Sequence, residues 1–133
     1  MNARNKQAVR AYVEAFNALD VPRLEQLFAA DARIWGVLGS GPLDTAIGIW
    51  RELHEGLEAR LEILDIAAEN DDVVLRLRES GRFVGPFRGL AGIEPTGKPF
   101  EIVAIEWFKV HDGKIAERWG ARDSAAIARQ VAG

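Results

Sequence analysis

Hydrophobic residues in the first part of the chain recur at helical spacing. The apolar positions that would form one face of a first helix are Val9, Tyr12, Val13, Phe16 and Leu19. Asp20 and Pro22 are typical of a helix start and predict a short second helix. A third helix is expected over residues 44–57, because its apolar residues are again three or four positions apart. The chain therefore begins with helices.

From Ala59 onwards the period changes from helical to two, which is typical of strands. A polar Asn-Asp-Asp stretch at residues 70–72 separates two alternating runs and predicts an antiparallel hairpin. Asp112 and Gly113 predict a second hairpin, and a short helix is expected after it. Helices followed by antiparallel strands indicate a single α+β domain over residues 1–133, with helices packed on one face of a bent sheet.

The Asp112-Gly113 turn allows a register to be predicted for the last hairpin. A two-residue loop pairs neighbours outward from the turn and places Glu106 opposite Trp119. In this register Glu106, Glu117 and Asp123 share one apolar face with Trp119, since strand side chains alternate. Burial on an apolar face raises carboxyl pKa values towards the range useful for proton transfer. The pattern thus indicates an acid–base pocket.

The same carboxylates also have a structural interpretation. Arginines of the neighbouring hairpin could form ion pairs with Glu106 and Glu117; they are Arg76, Arg78 and Arg82. Asp123 precedes a short helical run and is a good candidate for its N-cap. Spacing alone does not separate these two interpretations.

Aromatic and cationic residues supply further candidates for the pocket. Trp35, Trp50 and Trp119 are candidates for its apolar wall, although most tryptophans pack in cores. His54 could face the same cavity as Trp50 and act as a donor or base, whereas a partly exposed helix histidine is the structural alternative. Arg82 could stabilise an oxyanion, and the adjacent Phe83 is a candidate for substrate contact.

The strand over residues 100–110 is apolar on both faces. Val103, Ile105 and Trp107 alternate with the residues assigned to the interior. An apolar face without helices to cover it favours an interface, so a homodimer through these residues is expected.

Composition and charge exclude several classes of partner. The 133 residues are 48% hydrophobic and 28% charged, with a net charge of −3 and no basic cluster, which argues against nucleic acid or an anionic membrane as partner. The absence of cysteine and the presence of only two histidines predict no metal site. The charged N-terminal segment resembles neither a signal peptide nor a membrane span, so a cytoplasmic location is expected.

Several short motifs in the second half of the chain resemble the SnoaL-like polyketide cyclase and ester cyclase family. They are GPF at 85–87, PTGK at 95–98, DGKI at 112–115, and the spacing of Glu117, Trp119, Asp123 and Gln130. The resemblance implies a nuclear-transport-factor-two-like fold, with a cone-shaped cavity between helices and a curved sheet, in a dimer or tetramer. Gly81-Arg82-Phe83 stands where many relatives have Gly-Thr-His, so a family histidine is absent here.

The resemblance also implies a function. Polyketide members of the family close a ring by intramolecular aldol condensation without a cofactor, and their general acid/base corresponds to Asp123. We therefore expect a cofactor-independent cyclase or isomerase acting on a small apolar or aromatic substrate, with Asp123, Glu117 and His54 as catalytic candidates. Two alternatives remain: an epoxide-opening hydrolase or cyclase using Glu106 and Glu117, and a binding or dimerisation domain without catalysis.

Overall fold

The helices predicted from apolar spacing are present. The computed structural model describes residues 2–133. Its helices are α1 (Asn2–Ala18), α2 (Val21–Leu27), α3 (Leu43–Leu57) and α4 (Ser124–Val131). The second helix begins as predicted, because the Asp20 carboxylate accepts a hydrogen bond of 3.2 Å from the backbone N–H of Arg23.

The strands form one curved sheet against which the helices pack. They are β1 (Phe28–Gly36), β2 (Gly39–Gly41), β3 (Arg60–Glu69), β4 (Asp72–Arg82), β5 (Pro99–His111) and β6 (Lys114–Arg122). Their order is β2-β1-β6-β5-β4-β3, and every neighbouring pair is antiparallel except β1 and β6. The predicted α+β class with a mostly antiparallel sheet is confirmed.

Both predicted hairpins form. Asn70 has a φ of 55° in the turn between β3 and β4. Asp112 and Gly113 have φ angles of 50° and 76° in the turn between β5 and β6. Positive φ at both central residues is what a type I′ turn requires, and it explains the Asp-Gly sequence of the second hairpin.

The predicted face of β6 is wrong beyond Ala116, because the strand contains a β-bulge there. Val110 pairs with Ile115 as expected, but Lys109 already pairs with Glu117, so β6 has one extra residue. A shift of one residue moves every following side chain to the opposite face. The inward positions beyond the bulge are therefore Arg118, Gly120 and Arg122, whereas Glu117 and Trp119 lie on the outer face.

The core lies between α1, α3 and the inner face of the sheet. On β5 the predicted inner face is confirmed, since every second residue from Phe100 to Val110 is buried. Tyr12 of α1 is fully buried, and its ring lies 5.3 Å from that of Phe108 and 5.6 Å from that of Trp50, in edge-on geometry. These aromatic contacts join the two helices to the sheet.

The outer face of the sheet carries a patch of exposed apolar side chains, here called the outer patch. Its members are Val103, Ile105, Trp107 and Trp119, which are 53%, 43%, 48% and 48% exposed. Trp107 and Trp119 are paired neighbours on β5 and β6. The patch is thus continuous across two strands.

Candidate functional site

An apolar cavity lies between the two long helices and the inner face of the sheet. Its volume is about 50 Å³, which is room for a few water molecules. The largest apolar side chains that line it are Phe16, Ile34, Ile49, Trp50, Leu53 and Leu61. A substrate with several rings is larger than this space, so its entry requires neighbouring side chains to move.

One buried ion pair, between Glu106 and Arg118, lies at the polar side of the cavity. The two side chains are 6% and 11% exposed, and Nη2 of Arg118 donates to Oε2 of Glu106. Oε1 of Glu106 is buried and has no hydrogen-bond partner within residues 2–133. Burial opposes the charge of Arg118, but the Glu106 carboxylate and then the Tyr12 hydroxyl together more than offset burial and raise the pKa of the guanidinium above its ordinary value. Arg118 is a permanent cation beside a carboxylate with one free oxygen.

A second buried ion pair, between Glu79 and Arg122, lines the same cavity. The side chains are 5% and 12% exposed. Nε of Arg122 donates to Oε1 of Glu79 at 3.1 Å, and Nη2 donates to Oε2. Both carboxylate oxygens are therefore occupied, which distinguishes Glu79 from Glu106.

The hydroxyl of Tyr12 lies near the Glu106–Arg118 pair. Its oxygen is buried and close enough to Glu106 and Arg118 for both to affect its pKa, but it makes no hydrogen bond of good geometry in the described chain. Burial, and then the negative charge of Glu106, raise the pKa of Tyr12 well above its ordinary value. The phenol consequently stays protonated and is available as a donor.

Asp123 and Glu117 lie away from the cavity. Asp123 is exposed and caps α4, with its Oδ1 accepting a hydrogen bond of 2.9 Å from the backbone N–H of Ala126. Glu117 accepts from Nε1 of Trp119 at 3.3 Å on the outer face. The expected grouping of Asp123, Glu117 and Glu106 on one face is therefore wrong, and its cause is the bulge at Ala116. Glu106 and Glu117, the carboxylates expected for epoxide opening, lie on opposite faces.

Of the aromatic candidates, only Trp50 reaches the cavity. It is buried and lines the wall. Trp35 lies on the outer face instead, where its ring stacks on Trp119 with centroids 4.0 Å apart. His54 connects α3 to α1, because its Nε2 donates to the backbone oxygen of Phe16 at 2.6 Å.

Arg82 and Phe83 are also separate from the cavity. Arg82 is exposed, and its Nη1 donates to the backbone oxygen of Gly97 at 3.2 Å. Phe83 is fully buried in the core. The arginines expected to neutralise Glu106 and Glu117 have other partners, since Arg76 pairs with Asp65 and Arg78 with Glu62 and Glu101.

Four polar residues of the site were missing from the sequence-based prediction: Tyr12, Glu79, Arg118 and Arg122. Glu79 continues the buried alternation of Val73, Leu75 and Leu77, so a period of two indicates its inward direction. Tyr12 lies on the apolar face of the first helix, where it is indistinguishable from a core residue. The two arginines are assigned to the wrong face by any register that omits the bulge.

Comparison with known proteins places this architecture in a family. A model of the SnoaL-like polyketide cyclases matches residues 6–131. The chain belongs to this family. No curated protein matches the chain.

Solved structures of similar proteins agree with the SnoaL-like fold. IdmH of Streptomyces antibioticus, described as a candidate polyketide cyclase, is 26% identical, with a TM-score of 0.87 and coverage of 97% of this chain and 99% of that chain. TsrD of Streptomyces laurentii is 25% identical, with a TM-score of 0.85 and coverage of 99% and 97%. A candidate SnoaL-like polyketide cyclase of Jannaschia sp. CCS1 is 20% identical, with a TM-score of 0.88 and coverage of 100% and 94%, which concerns the fold alone.

Two further properties concern the residues that the model describes. None of their helices is long and apolar enough to cross a membrane. Residues 2–133 also contain no group of three or more His, Cys, Asp or Glu side chains that could hold a metal ion.

Proposed function

We propose that this SnoaL-like protein is a cofactor-independent cyclase or isomerase that moves a proton at a carbon between two carbonyl groups. The observation that carries the proposal is the Glu106–Arg118 pair, which lies in an apolar cavity and leaves Oε1 of Glu106 without a partner. A desolvated carboxylate with a free oxygen suits a general base. The family supports a polyketide-like substrate.

The proposed first step transfers a proton from the substrate carbon to Glu106. The electron pair of the broken C–H bond forms an enolate, and the negative charge moves from the carboxylate to the enolate oxygen. Arg118 lies beside the site of both charges, so its guanidinium can donate to the enolate as the carboxylate becomes neutral. One cation therefore compensates the charge before and after the step.

Ring closure or isomerisation follows from the enolate without another reagent. In a cyclase the enolate carbon attacks a second carbonyl carbon of the same molecule, and the resulting alkoxide takes the proton from Glu106. In an isomerase the proton returns to a different carbon. Either route regenerates the carboxylate, so the cycle balances in atoms and charge.

The assignment moves the role of general base from Asp123 to Glu106. Asp123 is the N-cap of α4 and accepts a hydrogen bond from its backbone. Glu106 is the carboxylate on β5 that points into the cavity. Tyr12, whose hydroxyl is free to donate in the described chain, supports the enolate side of the site. Glu79 and Arg122 hydrogen-bond to each other through both carboxylate oxygens, so their role is to form part of the polar wall of the cavity.

Exchange of an acidic C–H for deuterium tests the proposal without knowledge of the natural substrate. Methyl acetoacetate, a small β-keto ester, is followed by proton NMR in D₂O with and without protein. We expect wild-type protein to accelerate exchange and Glu106→Gln to lower that rate ~10²–10⁴-fold. Glu117→Gln is the matched control, since Glu117 lies on the outer face. No acceleration by wild type would favour a non-catalytic binding domain. Acceleration that Glu106→Gln leaves unchanged would assign the base to another residue.

We also propose that two copies of the chain associate through the outer patch. Its centre is apolar, and the pairs Arg76–Asp65, Arg78–Glu62 and Lys109–Asp72 place charges of both signs along its β4 side. With both signs present, a two-fold rotation of a second copy can bring opposite charges together. A second copy therefore suits this surface better than a strongly charged partner does.

A further inference from the structure

The guanidinium of Arg118 lies over the backbone of Gly120. Both residues face the interior of the sheet, two positions apart on β6. A Cβ atom built on Gly120 would lie 2.7 Å from Cζ, Nη1 and Nη2 of Arg118, which is well inside van der Waals contact. The guanidinium thus occupies the space that a side chain at residue 120 would take.

Two more residues confine the same guanidinium. A Cβ on Gly36 of β1 would lie 3.3 Å from Nη1 of Arg118. The indole ring of Trp50 covers another side, with its centroid 5.9 Å from Cζ. We call these three residues, Gly120, Gly36 and Trp50, the guanidinium seat. The seat holds Arg118 where its Nη2 reaches Glu106.

The backbone of Gly120 does not itself require glycine. Its φ lies outside the left-handed region, in contrast to Gly113 with a φ of 76°. Glycine within a strand weakens the strand, and often marks a place where another group approaches the backbone closely. Here the approaching group is Arg118, so the glycine is explained by the guanidinium and not by a turn.

We propose that Gly120 is a positioning residue that acts through Arg118. A methyl group at residue 120 would displace the guanidinium from its seat and separate it from Glu106, leaving the buried carboxylate without its cation. This role in catalysis rests on the proposed function, because it assigns chemistry to the Glu106–Arg118 pair. The steric relationship between Gly120 and Arg118 is independent of that function.

A double-mutant cycle tests the steric relationship without any activity assay. Urea unfolding is measured for wild type, Gly120→Ala, Arg118→Ala and the double variant. We expect Gly120→Ala to lower the urea midpoint in the wild-type background. When Arg118→Ala has emptied the seat, the same substitution should leave the midpoint unchanged or raise it, because alanine suits a strand better than glycine does. Gly48→Ala is the matched control, because a Cβ at this exposed helix position has nothing within 4 Å.

The cycle stays informative if Gly120→Ala fails to fold alone. In that case Gly120→Ala is added to Glu106→Leu/Arg118→Met, which keeps neither the guanidinium nor the buried carboxylate, and it should not lower the midpoint of that background. The inference is overturned if Gly120→Ala lowers the midpoint equally in both backgrounds, or in neither. Equal loss in both backgrounds would mean that the substitution disturbs the strand itself. Loss in neither would mean that a methyl group at residue 120 does not displace Arg118.

Deuterium exchange then tests the catalytic part. If Glu106 is the base, Gly120→Ala should lower the exchange rate ~10²-fold, as expected for a misplaced catalytic group. Coupling in the unfolding cycle without any wild-type exchange activity would support the positioning of Arg118 and contradict the proposed function. Exchange that depends on Glu106 but is unchanged in Gly120→Ala would contradict the positioning role alone.

Discussion

Arg118 and Glu106 form an ion pair on the inner face of the sheet, although the residue before Arg118, Glu117, points to the outer face. The bulge at Ala116 is the cause, because it reverses the faces of β6 near the start of the strand. Had β6 run without the extra residue, Glu117 would have shared the inner face with Glu106, diagonal to it across the strand pair, and two carboxylates would have lain in the same part of the core. The bulge instead places Arg118 there, and it forms an ion pair with Glu106.

Replacing one partner of this ion pair should destabilise the protein more than replacing both partners. Arg118→Met leaves the Glu106 carboxylate buried and unpaired, so we expect the free energy of unfolding to fall by about 3–5 kcal/mol. The double variant Glu106→Leu/Arg118→Met should recover most of the loss, as measured by urea unfolding. Arg76→Met is the control: its pair with Asp65 is 53% and 64% exposed, and its loss should cost about 0–1 kcal/mol. Simple additivity of Glu106→Leu and Arg118→Met would contradict the coupling.

Substitutions of Asp123 distinguish a cap from a catalytic acid. Asn is as good an N-cap as Asp, so Asp123→Asn should keep both the stability and the exchange activity of wild type. Asp123→Ala removes the bond to the Ala126 N–H and should lower the free energy of unfolding by about 1 kcal/mol. A ~10²–10⁴-fold loss of kcat in a stable Asp123→Asn variant would instead support the role implied by the family resemblance.

Titration with base should reveal the burial of Tyr12. It is the only tyrosine in the chain, so phenolate absorbance reports this residue alone. Because burial raises the pKa of Tyr12 above its ordinary value of 10.0, no phenolate should form above pH 10 while the protein stays folded.

The same shift predicts a loss of stability at high pH. The unfolded chain releases the phenol proton near pH 10.0 and the folded chain retains it, so the unfolded state gains about 1.4 kcal/mol per pH unit above that value. Tyr12→Phe should lack this part of the pH dependence, and the difference between the two proteins isolates it from other titrating groups. A folded protein that gives a phenolate signal near pH 10 would show that the hydroxyl is accessible.

A charge in the outer patch should prevent association of two copies. Wild type is expected to have the mass of a dimer in light scattering at micromolar concentration, and Trp107→Asp that of a monomer, because burial of an unpaired carboxylate is costly. Ile93→Asp is the control, since Ile93 is similarly exposed but lies outside the outer patch. A monomeric wild type, or a dimeric Trp107→Asp, would refute this interface.

Much of the architecture was predictable because its determinants are local. The apolar spacing in α1, the Asp20 cap and the Asp112-Gly113 turn each depend on a few neighbouring residues, and all three have the predicted form. The alternation along β5 likewise depends only on the two faces of one strand. The alternation therefore assigns Glu106 to the interior correctly and predicts the outward direction of Val103, Ile105 and Trp107. It does not predict that of Trp119, which follows the bulge.

The composition of the site was decided by tertiary structure. The bulge depends on the pairing registers of β6 with both β5 and the parallel strand β1. No residue type near Ala116 indicates it in the sequence. It brings Arg118 and Arg122 into the cavity and leaves Glu117 outside. The sequence determines the fold through periodicity and turns, because these are properties of short segments. Only packing across strands determines which charges face the cavity, since one inserted residue reverses the face of every residue after it.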